Sequence, residues 1–390
     1  MTTANVKTGV WTIENTYLKI NAGVWTYSAD DTPAPSGPQA GTLWAWGKSS
    51  DGALGDSTAI PKSSPVQIPG TQWVEMSTGC KHNIARKSDC TIWTWGNNGY
   101  GQTGVGDTSQ RSSPIQVPGT SWTCVSAGEN SNFALKSDNT LWAWGSNRYG
   151  RLGTNSYGYS PKSSPFQIPG TNWVSVSSSA GGVAFARKSD GTLWGWGGRS
   201  STHGDIGENA NIRRSSPVQI PGTSWCDVYG TGRSGSALKT DGTLWIWGIN
   251  NAGEIGDNTV ISRSSPVQIP GTSWVQVTGG SSTTFSRKSD GTLWGWGSGI
   301  SGKLGNNSTS YSSSPIQVPG TSWVDVSMRF DTVLARKTDG TLWGWGTNNY
   351  GEIGNNTTIR SSSPVQVPGT SWIDVKASGF DSSALARKSN

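Results

Sequence analysis

Few residues in this sequence could do acid–base or metal chemistry. Two histidines, His82 and His203, and four cysteines, Cys80, Cys90, Cys124 and Cys226, are all that 390 residues supply. A histidine base needs a nucleophile and an orienting carboxylate in reach, and these two histidines fall in different copies of a repeat. The cysteines lack zinc-site spacing. His82 follows Gly79-Cys80-Lys81, where a turn hydrogen bond is its expected role, and His203 is expected to be exposed. Cys226 takes a slot held elsewhere by Val275, Val324 or Ile373 and reads as a small buried hydrophobe, while Cys90 replaces a turn glycine. Cys80 and Cys90 bracket one strand, too far apart to pair, so free thiols are expected. The loops Gly305–Ser308 and Gly256–Thr259 carry Asn and Asp but not the D-x-D-x-D-G order of a calcium loop, and read as tight turns. No catalytic residue, metal site or cofactor is expected; the chain reads as a binding protein, not an enzyme.

Two sets of side chains could bind. Lys87, Lys136, Lys188, Lys239, Lys288, Lys337 and Lys388 occupy one position in seven copies of a repeat, five of them preceded by Arg. They form a basic ring on one rim: a solvated hairpin end that keeps edges soluble, or an anion-binding surface for DNA, lipopolysaccharide or an acidic partner. The second set lies in variable loops: Tyr100, Arg148, Tyr149, Tyr157, Tyr159, Arg199, His203 and Tyr350, with Asn97, Asn98, Asn147, Asn348 and Asn349 among them. Tyr, Arg and Asn are good contact formers, and the third and fourth copies are lengthened here, so this rim is the candidate contact face.

The elements that position these residues follow from period. Trp-x-Trp-Gly begins at Trp44, Trp93, Trp142, Trp194, Trp245, Trp294 and Trp343, at spacings of 49, 49, 52, 51, 49 and 49. Pro-Gly-Thr-x-Trp recurs seven times, each after Ser-Ser-Pro, and these motifs account for every Trp of the 23 except Trp11 and Trp25. Three Trp at fixed positions in each copy are core packing, not a ligand surface. Each copy reads as four short strands. Trp343 and Trp345 share one strand face, with Gly344 opposite; Val324 and Val326 alternate with Asp325; Asp-Gly marks a hairpin turn. Charged residues are 14%, against roughly 25% in an average domain, and Gly numbers 54, which excludes a helix bundle. Seven four-stranded units of about 50 residues imply an all-β, seven-bladed propeller of antiparallel blades over 41–390. The last copy stops where the first would begin, so strands near 372–388 and 41–68 are expected to share one blade and close the ring.

The pattern L-W-x-W-G-x-N-x-x-G-x-L/I-G, S-P-x-Q-V/I, W-x-x-V and A-L-x-K-S-D-G-T resembles the repeat of the regulator of chromosome condensation family. That resemblance covers residues 41–390 and implies the seven-bladed propeller. The family's G-x-x-H-T segment is approached only at Gly79-Cys80-Lys81-His82-Asn83, and repeats of 49 to 52 residues leave no room for the wedge of the chromosomal exchange factor. Guanine-nucleotide exchange is therefore not expected.

Residues 1–30 stand apart and 31–40 read as a linker rich in Pro. Gly9-Val10-Trp11-Thr12 and Gly23-Val24-Trp25-Thr26 flank Tyr17-Leu18-Lys19-Ile20, a pattern similar to segments of bacteriophage virion and tail proteins. So short a β segment buries little alone. Trp11, Tyr17, Trp25 and Tyr27 either pack on the propeller flank or form a docking arm for another protein, and the arm is preferred. No run of 18 apolar residues spans a membrane, and the start lacks a secretory signal. The leading expectation is a non-enzymatic phage virion protein (tail, neck or capsid decoration), released by lysis. Its arm would dock on other virion proteins and its propeller would meet a host-surface glycan or receptor, with nucleic acid not expected. The alternatives are a soluble regulator binding a GTPase, chromatin or an enzyme through one rim, and a carbohydrate-binding lectin.

Overall fold

Each Leu-Trp-x-Trp-Gly run is a strand, and three neighbours complete its sheet. Trp274–Gly280, Thr283–Lys288, Leu293–Gly297 and Ser312–Gln317 pair antiparallel in that order; they are strands a to d, from the axis outward. The computed structural model describes residues 40–390 except 50, 159, 180, 199–202, 233, 378–382 and 390. The expected arm with Trp11, Tyr17, Trp25 and Tyr27, and the loop residues Tyr159 and Arg199, lie outside the described residues. Among the described residues the regular elements are β-strands and two short 3-10 turns, Arg148–Gly150 and Ile300–Gly302.

Five sheets have four strands, and two further blades are joined by the single pair Gly41↔Trp73. The expected closure is present. Trp372–Ala377 and Ser383–Ser389 supply strands a and b, while Gly41–Gly47 and Lys62–Gln67 supply c and d. The register runs unbroken from Gly41↔Ser389 to Gly47↔Ser383. Ser-Ser-Pro lies in strand d, at the outer edge. There a proline costs no ladder bond and discourages edge pairing.

Strand a departs from strict alternation. Trp323 pairs with Lys337 but Asp325 with Arg336, so one residue is extra, and the same shift occurs in all seven blades. The bulge places Trp323 with Val326 in the core, 1% and 2% exposed, and leaves Val324 half-buried. Cys226 occupies that half-buried slot, its Sγ 3.4 Å from the Leu238 carbonyl. The expectation of a fully buried thiol is corrected: the bulged residue is the one the core does not close over.

The core is seven interfaces, each a cluster shared by neighbouring blades. The second Trp of each motif is fully buried. In six blades its indole N–H donates to a carbonyl in the preceding blade's c–d loop, as in Trp144 to Gln102 (2.8 Å) and Trp345 to Lys303 (3.0 Å). Trp46 to Glu352, at 2.9 Å, makes the same bond across the ring closure. A loop glycine, after Leu or Ile in six blades and after Thr103 in the seventh, packs on this indole. A Cβ on Gly305 would come within 2.7 Å of Trp345 Nε1.

Candidate functional site

The antiparallel order gives the propeller two faces. Strand a ends and strand b begins at one face, where strand c also runs out into the c–d loop. The Lys-x-Asp-Gly turns between b and c, and the Pro-Gly-Thr-x-Trp connections, lie at the other. The lysine ring and the variable loops therefore occupy opposite faces.

On the lysine face each ammonium is clamped. Lys288 Nζ lies 4.7 Å from the Trp274 ring centre and 4.9 Å from that of Trp294, and Lys337 is 4.7 Å from both Trp323 and Trp343. Lys87, Lys136, Lys188, Lys239 and Lys388 repeat the arrangement at 4.2 to 5.0 Å. Two indole faces hold each cation, and burial lowers the Lys388 ammonium from its ordinary value. The adjoining turn is a relay. Asp290 accepts the Thr292 N–H and hydroxyl, and Thr292 accepts the Trp294 indole N–H. The Thr hydroxyls hold the carboxyls of Asp89, Asp138, Asp190, Asp241, Asp290 and Asp339 below their ordinary value.

On the loop face, Asn98, Asn147, Asn250 and Asn348 are buried braces and not the contact residues their type implied. Asn98 donates to the Asp107 and Ser109 carbonyls and accepts the Thr103 N–H, fixing the whole loop. Asp257 accepts from Thr259 and pairs with Arg263 at 2.6 Å, which is turn chemistry. Tyr100, Tyr157 and Tyr350 are about half exposed and Arg148 is exposed. Tyr149 is half-buried among Arg148, Arg213 and Arg151. His203 is half-buried, not fully exposed, and His82 is buried with its Nε2 3.1 Å from Asn132 Oδ1 of the next blade. Sequence reasoning missed the aliphatic residues beside the tyrosines. Ile60, Ile212, Ile261 and Ile359 occupy one position, five before the proline of strand d, and are 45 to 73% exposed. The three other blades carry Ser109, Ser160 and Ser310 there, and beside the last of these in sequence Tyr311 is exposed, as is Ile300 of the same loop.

A third set converges on the axis. At the fifth residue of strand a, the hydroxyls of Ser77, Ser126, Ser177, Thr278 and Ser327 each accept a backbone N–H from the next blade, at 2.9 to 3.3 Å. Tyr229 and Lys376 hold this position in the two remaining blades. Two residues earlier lie Glu75, Asp227, Asp325 and Asp374. Glu75 pairs with Arg86 (2.9 Å), Asp374 with Arg387 (3.2 Å), and Gln276 donates to Asp325 (2.7 Å). Tyr229 donates its hydroxyl to Asp227. Burial raises the Asp227 and Asp325 carboxyls. Burial alone would lower the Lys376 ammonium, but Asp374, Asp325 and Glu75 outweigh it and hold it above its ordinary value. The fifth-residue ring, with Gln276, lines a cavity of about 170 Å³ that also touches Gly232, Ser281 and Phe330 of the a–b turns, on the same face as the variable loops.

The family model described as the regulator of chromosome condensation (RCC1) repeat matches residues 40–86, 90–135, 138–186, 241–286, 290–328 and 339–385, and a second model of that repeat matches 122–151. No curated protein sequence matches the chain significantly. Among solved structures it is similar to Prp20p of Saccharomyces cerevisiae, at 17% identity and a TM-score of 0.81, over 90% of this chain and 92% of that one. Prp20p is described there with its binding to Gsp1p and histones. Yeast RCC1 (Prp20) bound to Kap60 gives 17% identity and a TM-score of 0.80, over 94% of this chain and 97% of that one. Human WBSCR16 gives 20% and 0.77, over 90% and 99%. At such identity these structures share the fold, while the repeat model spans well over half of the sequence: this chain belongs to the regulator of chromosome condensation (RCC1) repeat family.

Proposed function

We propose that this propeller is a non-enzymatic binding scaffold that engages a protein partner through its loop face. The observation that carries this reading is the ring of exposed side chains there. Ile60, Ile261 and Ile359 are 60 to 73% exposed at equivalent positions of separate blades, and Tyr100 and Tyr350 are exposed in the loops of the same face. Apolar and aromatic groups repeated around one face are the composition of a protein interface. The Ile261 and Ile359 carbonyls accept from the buried Asn250 and Asn348, and in the Ile60 loop the buried Ser49 donates to the Thr58 carbonyl, so ordering these loops costs little on binding. A soluble regulator of this kind fits the fold relatives better than a virion protein does. The reading stops at binding, because the repeats leave no room for an exchange wedge.

The test replaces Ile60, Ile261 and Ile359 together by Asp in the full chain. A partner captured with the unaltered protein is identified and purified, and its affinity for both forms is measured. A loss of about 100-fold or more is expected, near 1 kcal/mol per anchor. Equal affinity, with loss on replacing the lysine-face residues Lys136 and Lys288 instead, would assign the interface to the other side. A virion role rests chiefly on the Gly-Val-Trp-Thr segments of residues 1–30, beside the low-charge Gly/Ser/Thr/Trp composition. It requires that a chain starting at residue 37 fail to join particles that the full chain joins.

A further inference from the structure

The repeats are nearly identical where the fold needs them to be, so the positions that break identity on the axis carry information. The fifth residue of strand a normally ties blades together, because its hydroxyl accepts an amide of the next blade at five of seven junctions. Tyr229 and Lys376 give up that bond. At the Lys376 junction Thr78 restores a link by donating its hydroxyl to the Ala377 carbonyl, at 2.7 Å. Both exceptional side chains line the same axial cavity.

The chemistry of the lining is one-sided. Each ring hydroxyl spends a lone pair on an amide, and those of Ser77, Ser177, Thr278 and Ser327 keep their proton to donate, while Ser126 also shares a hydrogen bond with the Ser178 hydroxyl at 3.1 Å. The carboxylates below are engaged: Glu75 by Arg86 and the Val125 amide, Asp374 by Arg387, Asp325 by Gln276, Asp227 by Tyr229 and the Val228 amide. Lys376 is different. Its nearest carboxylate oxygen, on Asp374, is 3.9 Å away, and among the described residues its ammonium makes no hydrogen bond, although its side chain is 38% exposed to the cavity. Three N–H donors on a fixed charge thus face a pocket rimmed by hydroxyl donors.

We propose that this axial cavity binds a small oxyanion, a carboxylate or a phosphate, with Lys376 as its counter-charge and the Ser177 and Ser327 hydroxyls among its donors. A cation would meet carboxylates already in use and an ammonium in its path. About 170 Å³ accommodates a phosphate or a short dicarboxylate. The site shares its face with the ring of isoleucines but uses none of them.

Calorimetric titration of the full chain at constant ionic strength tests this, with inorganic phosphate, malonate and neutral glycerol as separate probes. Saturable one-to-one binding of phosphate or malonate is expected in the millimolar range or tighter, with none for glycerol. The two anions distinguish a phosphoryl ligand from a carboxylate one. Lys376→Met should weaken binding about 10-fold or more, while Lys376→Arg should retain it. The near-ultraviolet circular dichroism of the stacked tryptophans should be unchanged in both. The proposal fails if neither anion saturates below about 50 mM, well above ordinary ligand affinities. It also fails if glycerol binds equally, or if Lys376→Met retains full affinity in a folded protein.

Discussion

Gly305 offers a measurement of what joins one blade to the next. It has φ +70°, and a Cβ there would lie 2.7 Å from Trp345 Nε1, whose N–H donates to Lys303 in the same loop. Gly305→Ala therefore incurs two costs. A left-handed backbone with a side chain costs about 1–2 kcal/mol. Displacing a buried indole from a packed interface adds about 1–3 kcal/mol, for a total near 2–5 kcal/mol. Gly106 separates the two terms. It lies in another c–d loop at φ +91°, but the nearest atom to its Cβ would be Ser164 Oγ at 3.8 Å. Gly106→Ala should cost the backbone term alone, about 1–2 kcal/mol. Gly99→Ala, whose Cβ would meet only Asn97 Oδ1 at 3.7 Å, should be near neutral. Urea unfolding followed by tryptophan fluorescence ranks the three variants through their midpoints. Equal losses for Gly305→Ala and Gly106→Ala would refute the claim that these glycines exist to let the indole cross between blades.

Three further outcomes follow from the same geometry. Cys90 has φ +62° at the turn position where other blades place glycine or asparagine, so Cys90→Gly should stabilise by about 1 kcal/mol; Asn139→Gly, at φ +61°, should gain less because asparagine tolerates this region. Lys288→Met removes two cation–π contacts and should cost about 1–2 kcal/mol in urea unfolding, whereas Lys62→Met on an outer strand should change little. The turn aspartates have folded pKa values below their unfolded ones. Their stabilisation is therefore complete above about pH 4 and is lost as pH falls through the lower folded values. The melting temperature should drop steeply below pH 4, and Asp290→Asn combined with Asp339→Asn should shallow that drop.

The sequence by itself determined the propeller. Trp and Gly recur at intervals that only a four-stranded unit explains, and the offset between the first and last copies requires the strands of residues 41–67 and 372–389 to share a blade. Those signals are local, carried by side chains a few residues apart, so they can be read without coordinates. The lysine ring was also legible, since each blade carries its own copy, and the exposed tyrosines were legible because they fall in the loops that vary between copies.

Only the tertiary structure decided what those positions do. Lys288 reads as a solvated hairpin end, yet its ammonium rests between two indoles contributed by strands a and c. Asn98 and Asn348 read as contact residues, yet they are sealed inside the loops they brace. Val324 reads as a core partner of Val326, yet the bulge gives that place to Trp323. Tyr229 and Lys376 drew no attention in the sequence, because each is one substitution at a hydroxyl position of a single copy of the repeat. Their meaning appears only when ring closure brings seven equivalent residues around one axis. A charge that is one among many along the chain then becomes, among the described residues, the single ammonium lining that cavity.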